Sequence, residues 1–141
     1  MFHMIYTSRA SQEFSAADLK QLLRRSRANN SRVNVTGMLL FRDSAFLQAL
    51  EGDEPTVRDV FERIKKDPRH TGLSILRDQT SFGQRRIFGD WSMGFANSKN
   101  NAQILKGFID LAIDRDFLTL SEEQALEIFS LCSRNPQYED A

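Results

Sequence analysis

A chain of 141 residues, 40% hydrophobic and 27% charged, has the size and composition of one ordinary soluble globular domain. Lys plus Arg and Asp plus Glu stand at 19 each, so no net field recruits nucleic acid or an anionic membrane. The lone Cys132 excludes an intrachain disulfide or a multi-cysteine metal site, His3 and His70 lack zinc-ligand spacing, and no apolar stretch approaches the roughly 18 residues of a membrane span.

Residues 2–7 alternate bulky side chains and predict a first strand with Phe2, Met4 and Tyr6 on one face. Met1 to Tyr6 lack the basic flank and small-residue cleavage site of a secretion signal, so a cytoplasmic protein is expected. Ser15 with Asp18 three residues on reads as a helix N-cap, and Leu19, Leu22 and Leu23 mark the stripe that follows. That helix is expected to end near Asn29-Asn30. Arg24, Arg25 and Arg27 fit its solvated face. Thr36-Gly37 opens a second strand over 38–42, and Arg42-Asp43-Ser44 turns the chain into a third, Phe46-Leu47-Gln48-Ala49-Leu50.

Both faces of that third strand are apolar, which marks an interior strand covered on both sides. Gln48 is the exception. Its amide carries one acceptor and two donors, and burying it unpaired costs on the order of 1–3 kcal/mol, so something polar must meet it inside the fold. Backbone or water would suffice; a ligand with a polar edge would fit equally well.

Asp53 is placed to cap a second helix with Pro55 in its first turn and Val57, Val60, Phe61 and Ile64 as its buried stripe, and Asp67-Pro68 stops it. Residues 72–82 and 86–96 read as two strands of a hairpin around Gly83-Gln84-Arg85. The resulting order predicts an α+β, ferredoxin-like β-α-β-β-α-β-β sheet with two helices on one face. After the polar linker at 97–101 come two C-terminal helical patterns. One carries Ile104, Leu105, Phe108, Ile109 and Ala112; the other follows a Ser121–Gln124 capping box and carries Leu126, Ile128, Phe129 and Leu131. They are expected to pack on the free face of the sheet or on a partner chain. The division is therefore a domain over 1–96 and a two-helix extension over 97–141.

Taken singly, the polar residues in this pattern have plain explanations: Tyr6 as amphipathic filler, Asn29 and Asn30 as a helix end, Asp67, Arg69 and His70 as a solvated turn, Trp91 and Met93 as core. Together they do not. The first and third strands of a ferredoxin-like order are central neighbours, so Tyr6 can approach Gln48. The end of the first helix and the exit from the second flank one cleft, and donors and acceptors converging on an apolar slot are the usual form of a small-molecule site.

The ordered set Tyr6, Ser26-Arg27-Ala28-Asn29-Asn30, Val35-Thr36-Gly37-Met38-Leu39, Phe46 to Gly52, Asp67-Pro68-Arg69-His70, Arg86-Ile87-Phe88 and Trp91-Ser92-Met93 resembles the BLUF domain, a blue-light sensor using flavin. The resemblance covers about residues 1–96; beyond 97 it is to the short BLUF proteins that end in a pair of helices. It implies a non-covalent flavin, usually FAD with FMN left open, between the two helices. It implies Tyr6 as the redox-active tyrosine, Gln48 as the switching glutamine and Asn30 as the amide on the flavin carbonyl edge. Ser26, Asn29, Arg63, Asp67, Arg69 and His70 match positions around the ring edge and the ribityl-phosphate side. Trp91 and Met93 match the pair linked to signalling. Asn29 stands where some members carry His. The implied output is contact with a downstream effector protein, with no enzyme turnover; apolar faces on the terminal helices favour a homo-oligomer, and the balanced charge leaves no nucleic-acid or membrane partner expected.

Three alternatives are weaker on the residues. A flavin-free ferredoxin-like binding domain or acylphosphatase-type hydrolase would need a phosphate-cradling glycine loop beside a catalytic Arg. An RNA-binding module would need the Lys/Arg-Gly-Phe/Tyr sheet motif. A flavoenzyme would need a substrate channel and a second catalytic constellation.

Overall fold

The computed structural model describes residues 1–42, 44–80, 86–88, 94–97 and 117–134. In chain order it holds β1 (Phe2–Ala10), α1 (Ala16–Arg32), β2 (Thr36–Arg42), β3 (Ala45–Gly52), α2 (Glu54–Lys65), β4 (His70–Thr80) and β5 (Gly94–Asn97). A 3-10 turn at Phe117–Thr119 and a helix, here α3, at Glu122–Arg134 follow. The sheet order is β4-β1-β3-β2-β5, all antiparallel except the β2–β5 pair. This is the expected α+β ferredoxin-like arrangement.

Its interior strand is the one the alternation pointed to. Every residue of β3 is buried, and its two sets of side chains enter two cores. Phe46 and Leu50 join Phe2, Met4, Tyr6 and Leu39 under Leu23 of α1 and Val57, Val60 and Phe61 of α2. Ala45, Leu47 and Ala49 join Ile5, Met38 and Leu40 on the opposite face, beneath Phe117, Leu120, Ala125, Ile128 and Phe129. Each large side chain so buried contributes about 1.5–3 kcal/mol. The sheet is thus covered by α1 and α2 on one side and by α3 on the other, so α3 takes the free face. The helix expected around Ile104 to Ala112 lies outside the described residues, as does the side chain of Leu131.

Local signals explain most boundaries. Ser15 accepts from the Asp18 N–H at 3.1 Å while the Asp18 carboxylate accepts from the Ser15 N–H at 2.9 Å, the full capping box. Ser121 and Gln124 repeat it at α3, at 2.9 and 3.2 Å. Asp53 takes the N-cap position of α2 without a side-chain bond, with Pro55 in the first turn. Gly37 is required by a close approach: a Cβ there would be driven into the main-chain carbonyl of Ala49 on β3.

Two expectations need correction. The first helix does not end at Asn29-Asn30 but runs to Arg32, with Val33 as its C-cap and Asn34 taking the left-handed conformation at φ 57°. Asn30 is buried, and its packing keeps the helix going past a residue that otherwise favours a helix end. The second correction concerns residues 86–96, expected as the return strand of a hairpin with 72–82. Instead β4 lies beside β1 at one edge, while β5 pairs in parallel with β2 at the other, Gly94 opposite Met38. Residues 86–88 carry no strand. Arg86 hydrogen-bonds Thr36, Asn34 and Glu51 at the ends of β2 and β3, so the chain has already crossed to the far edge.

Candidate functional site

Register brings the central pair together. β1 and β3 are antiparallel neighbours with Tyr6 opposite Gln48, and both side chains fall on the face covered by α1 and α2. The Tyr6 hydroxyl donates to Gln48 Oε1. Tyr6 is 2% and Gln48 5% exposed, and the Tyr6 ring is tilted against Phe61 of α2, ring centres 5.2 Å apart. Burial, and secondarily the negative charge of Asp67, push the Tyr6 phenol well above its ordinary value, so it stays protonated.

α1 supplies one wall. Ser26 and Asn30, four residues apart, share a helix face; Asn30 is buried and Asn29 exposed. The other wall is the exit from α2. The Asp67 N–H bonds the Ile64 carbonyl at 3.0 Å. The Asp67 carboxylate accepts from Arg69 Nε at 3.0 Å, Arg69 Nη2 at 2.6 Å and the Arg69 main-chain N–H at 2.9 Å. That fork, against the opposing effect of partial burial, holds the Asp67 carboxyl below the usual carboxylate range.

His70 is committed within the protein. Its Nε2 lies 2.7 Å from the Ile64 carbonyl and its Nδ1 2.9 Å from Ser8 Oγ. A carbonyl only accepts, so Nε2 carries the proton, and in the neutral ring Nδ1 accepts from the Ser8 hydroxyl. His70 therefore ties the end of α2 to β1.

Between the walls lie two adjoining hollows of about 450 and about 700 Å³, counting the space open to solvent. The inner one is floored by Tyr6, Leu39, Phe46 and Gln48 and closed by Phe14 and His70. The outer one is bordered by Arg25, Asn29, Asn30 and Arg63. Leu22, Ser26, Gln48, Ile64, Asp67 and Arg69 line both. The structure thus gathers Tyr6, Ser26, Asn29, Asn30, Gln48, Arg63, Asp67, Arg69 and His70 around one cleft. Trp91 and Met93 lie outside the described residues. Among the described residues no cluster of three or more His, Cys, Asp or Glu could hold a metal ion.

Sequence reasoning missed Ser8, Phe14, Leu22, Leu39 and Arg25 as lining residues. Ser8 was within reach, since period two from Tyr6 puts it on the same face. Leu22 and Leu39 carry an ordinary core signal, and nothing local distinguishes a core side chain from the wall of a cleft.

A family model described as BLUF, sensors of blue-light using FAD, matches residues 1–94. The chain is 30% identical over 97 residues to the photoactivated adenylate cyclase subunit beta of Euglena gracilis, covering 68% of this chain and 11% of that protein. It is 27% identical over 128 residues to the blue light- and temperature-regulated antirepressor BluF of Escherichia coli, covering 89% of this chain and 31% of that protein. It thus spans a minor part of both relatives' length. Among solved structures it is similar to BlsA in its photo-activated state, with a TM-score of 0.84, 26% identity and 99% of each chain covered.

Proposed function

The chain belongs to the BLUF family of sensors of blue light using FAD, and from that premise we propose that Tyr6 and Gln48 form its light-driven switch, on a flavin held non-covalently between α1 and α2. The observation that carries this is the buried hydrogen bond from the Tyr6 hydroxyl to Gln48 Oε1 at the floor of the cleft.

The residues fit the group. Leu22, Leu39, Phe46 and Ile64 give the apolar surfaces a flat aromatic ring system needs. Asn30 and Gln48 bring amides, which can meet the alternating donors and acceptors of its polar edge. Ser26, Asn29, Asp67 and Arg69, which line the hollows, are read as the contacts to the remaining ring edge and the ribityl chain. Arg25 and Arg63 border the outer hollow, where the phosphates of FAD, or the single phosphate of FMN, would leave the cleft. His70 holds the wall, both its ring nitrogens being engaged by Ser8 and Ile64.

A bound oxidised flavin supplies absorption of blue light and a strongly oxidising excited state. The protein's own part follows from the pair. Tyr6 keeps its proton in the dark because burial and Asp67 oppose its loss. The same negative charge favours loss of an electron from the phenol, and the hydrogen bond gives the proton a route to Gln48 Oε1. The pair has two self-consistent arrangements: the phenol donating to the amide oxygen, or accepting from the amide nitrogen once the side chain has turned. The electron and the proton return to Tyr6 once the amide has turned, so light moves the pair from the first arrangement to the second with no net redox change, and the changed hydrogen bonding at the cleft floor is the stored signal.

Residues 1–96 are read as the sensing unit, with Trp91 and Met93 near its end linked to signalling, and 97–141 as the output region. The output is contact with an effector protein, by a homo-oligomer and without turnover. Gln48→Leu tests the assignment: it should retain flavin and lose the light-induced spectral shift, whereas a normal shift would remove Gln48 from the switch.

A further inference from the structure

β3 carries a second polar residue, three places beyond Gln48 and on the opposite face. Glu51 is 0% exposed. Its Oε1 accepts from Thr36 Oγ1 at 2.7 Å and from the Phe88 N–H at 2.9 Å. Its Oε2 accepts from the Ile87 N–H at 2.8 Å and lies 2.9 Å from His3 Nε2. Arg86 closes the cluster, donating through Nη1 to Thr36 Oγ1 at 2.8 Å and through Nη2 to the Asn34 carbonyl at 2.9 Å. One carboxylate thus joins β1, β2 and β3 to a segment with no regular secondary structure of its own.

That segment leads to the output side. The Phe88 ring, itself buried, meets Phe129 of α3 edge to face, ring centres 5.7 Å apart and planes at 86°. The main-chain N–H of Phe88 is held by Glu51 while its ring is held by α3. Six residues further on, Gly94 begins β5 alongside β2. Elsewhere the described part of α3 is tied to the sheet through Glu122, bonded by Arg77 of β4 at 2.6 Å. Glu122, bonded by Arg77 and Gln79, thus holds α3 near its start, while the Phe88–Phe129 contact holds its buried face and runs back to the strand that carries Gln48.

We propose that Glu51 is a positioning residue for signal output, fixing Phe88 to the end of β3 so that rearrangement at Gln48 reaches α3 through the Phe88–Phe129 contact. This rests on the Tyr6–Gln48 reading above. The mechanical logic is that a displacement along β3 moves whatever is bonded to its end. The Ile87 and Phe88 N–H bonds to the carboxylate, with the Arg86 bond to the Glu51 carbonyl, make residues 86–88 travel with the strand, and a buried ring pair passes the movement on because packed interiors do not absorb small shifts.

The test is hydrogen exchange of the α3 amides in the flavin-loaded full chain, in darkness and under blue light, with the absorption shift recorded on the same samples. In the parent chain α3 exchange should differ between light and dark. Glu51→Gln keeps the shape of the side chain but turns one acceptor oxygen into a donor facing donors. It should keep the light-induced absorption shift and bring α3 exchange to the same rate in light and dark. Phe88→Leu, which leaves the carboxylate cluster whole, should do the same and serves if Glu51→Gln does not fold. A merely structural role would change dark exchange and leave the light–dark difference in place, which would overturn the proposal. So would a parent chain that shifts its absorption with no response in α3. A parent chain that binds flavin without any shift would remove the Tyr6–Gln48 reading itself, and this proposal with it.

Discussion

Replacing Tyr6 by Phe removes one oxygen from the middle of the sheet and leaves the ring, with its contact to Phe61, in place. The loss falls on Gln48 Oε1, the acceptor of the Tyr6 hydroxyl in a side chain only 5% exposed. Losing such a bond on a buried acceptor costs about 1–3 kcal/mol. For a chain near this length, that corresponds to a fall of roughly 2–12 °C in Tm. Flavin should still bind, because the apolar walls and the amides of Asn30 and Gln48 remain. The light-induced shift should vanish, because Phe can neither supply the proton nor give up an electron as readily. The assay pairs thermal unfolding of parent and variant with difference spectra under blue light. The Gln48→Leu single and double variants complete a cycle in which the pair should show an interaction of about 0.5–3 kcal/mol. A Tyr6→Phe protein with an unchanged photocycle would refute the electron-donor assignment. Additive effects in the cycle would refute the hydrogen bond.

Further expectations follow from burial and charge. Since the folded state holds the Tyr6 phenol above its ordinary value, the unfolded chain loses that proton first; stability should fall by about 1.4 kcal/mol per pH unit above roughly pH 10. Urea midpoints across the alkaline range check this, with Tyr6→Phe lacking that part of the slope. Glu51 behaves in the opposite sense: burial works to raise its carboxyl, but the bonds from His3, Thr36, Phe88 and Ile87 outweigh it and hold it below the usual range. Its contribution should be whole above the ordinary carboxylate range and disappear as pH falls through the depressed value, so Glu51→Gln should flatten the acid limb of the stability profile. Gly37→Ala drives a Cβ into the Ala49 carbonyl between two interior strands and should cost about 1–3 kcal/mol or more, seen as loss of soluble, flavin-binding protein; an unaffected variant would show that β2 can move away from β3.

What the sequence made legible was whatever depends on short-range pattern. The period of two through Phe46 to Leu50 located the interior strand, and Ser15–Asp18 and Ser121–Gln124 marked two helix starts. Tyr6 and Gln48 could be paired because a ferredoxin-like order makes their strands neighbours and alternation puts both on one face. The last strand was not legible, because a parallel pairing at the far edge leaves no local signature. The alternation through 86–96 suits a hairpin equally well, and what decides is Arg86 reaching Thr36, Asn34 and Glu51, residues distant along the chain. The Asn29-Asn30 end failed for a related reason: burial of Asn30 overrode its preference, and Asn34 made the turn instead. Glu51 shows a signal left unused. A carboxylate closing an apolar strand poses the same question as Gln48, since neither can be buried without partners.

The absorption spectrum of the purified protein, recorded in darkness and again after blue light, is the decisive measurement for the Tyr6–Gln48 switch. A structured flavin spectrum should move slightly to the red and return in the dark, with the movement lost in Gln48→Leu. A flavin spectrum that light leaves unmoved would contradict the Tyr6–Gln48 switch, and a protein that takes up no flavin even on reconstitution would contradict the cleft between α1 and α2 as a flavin site.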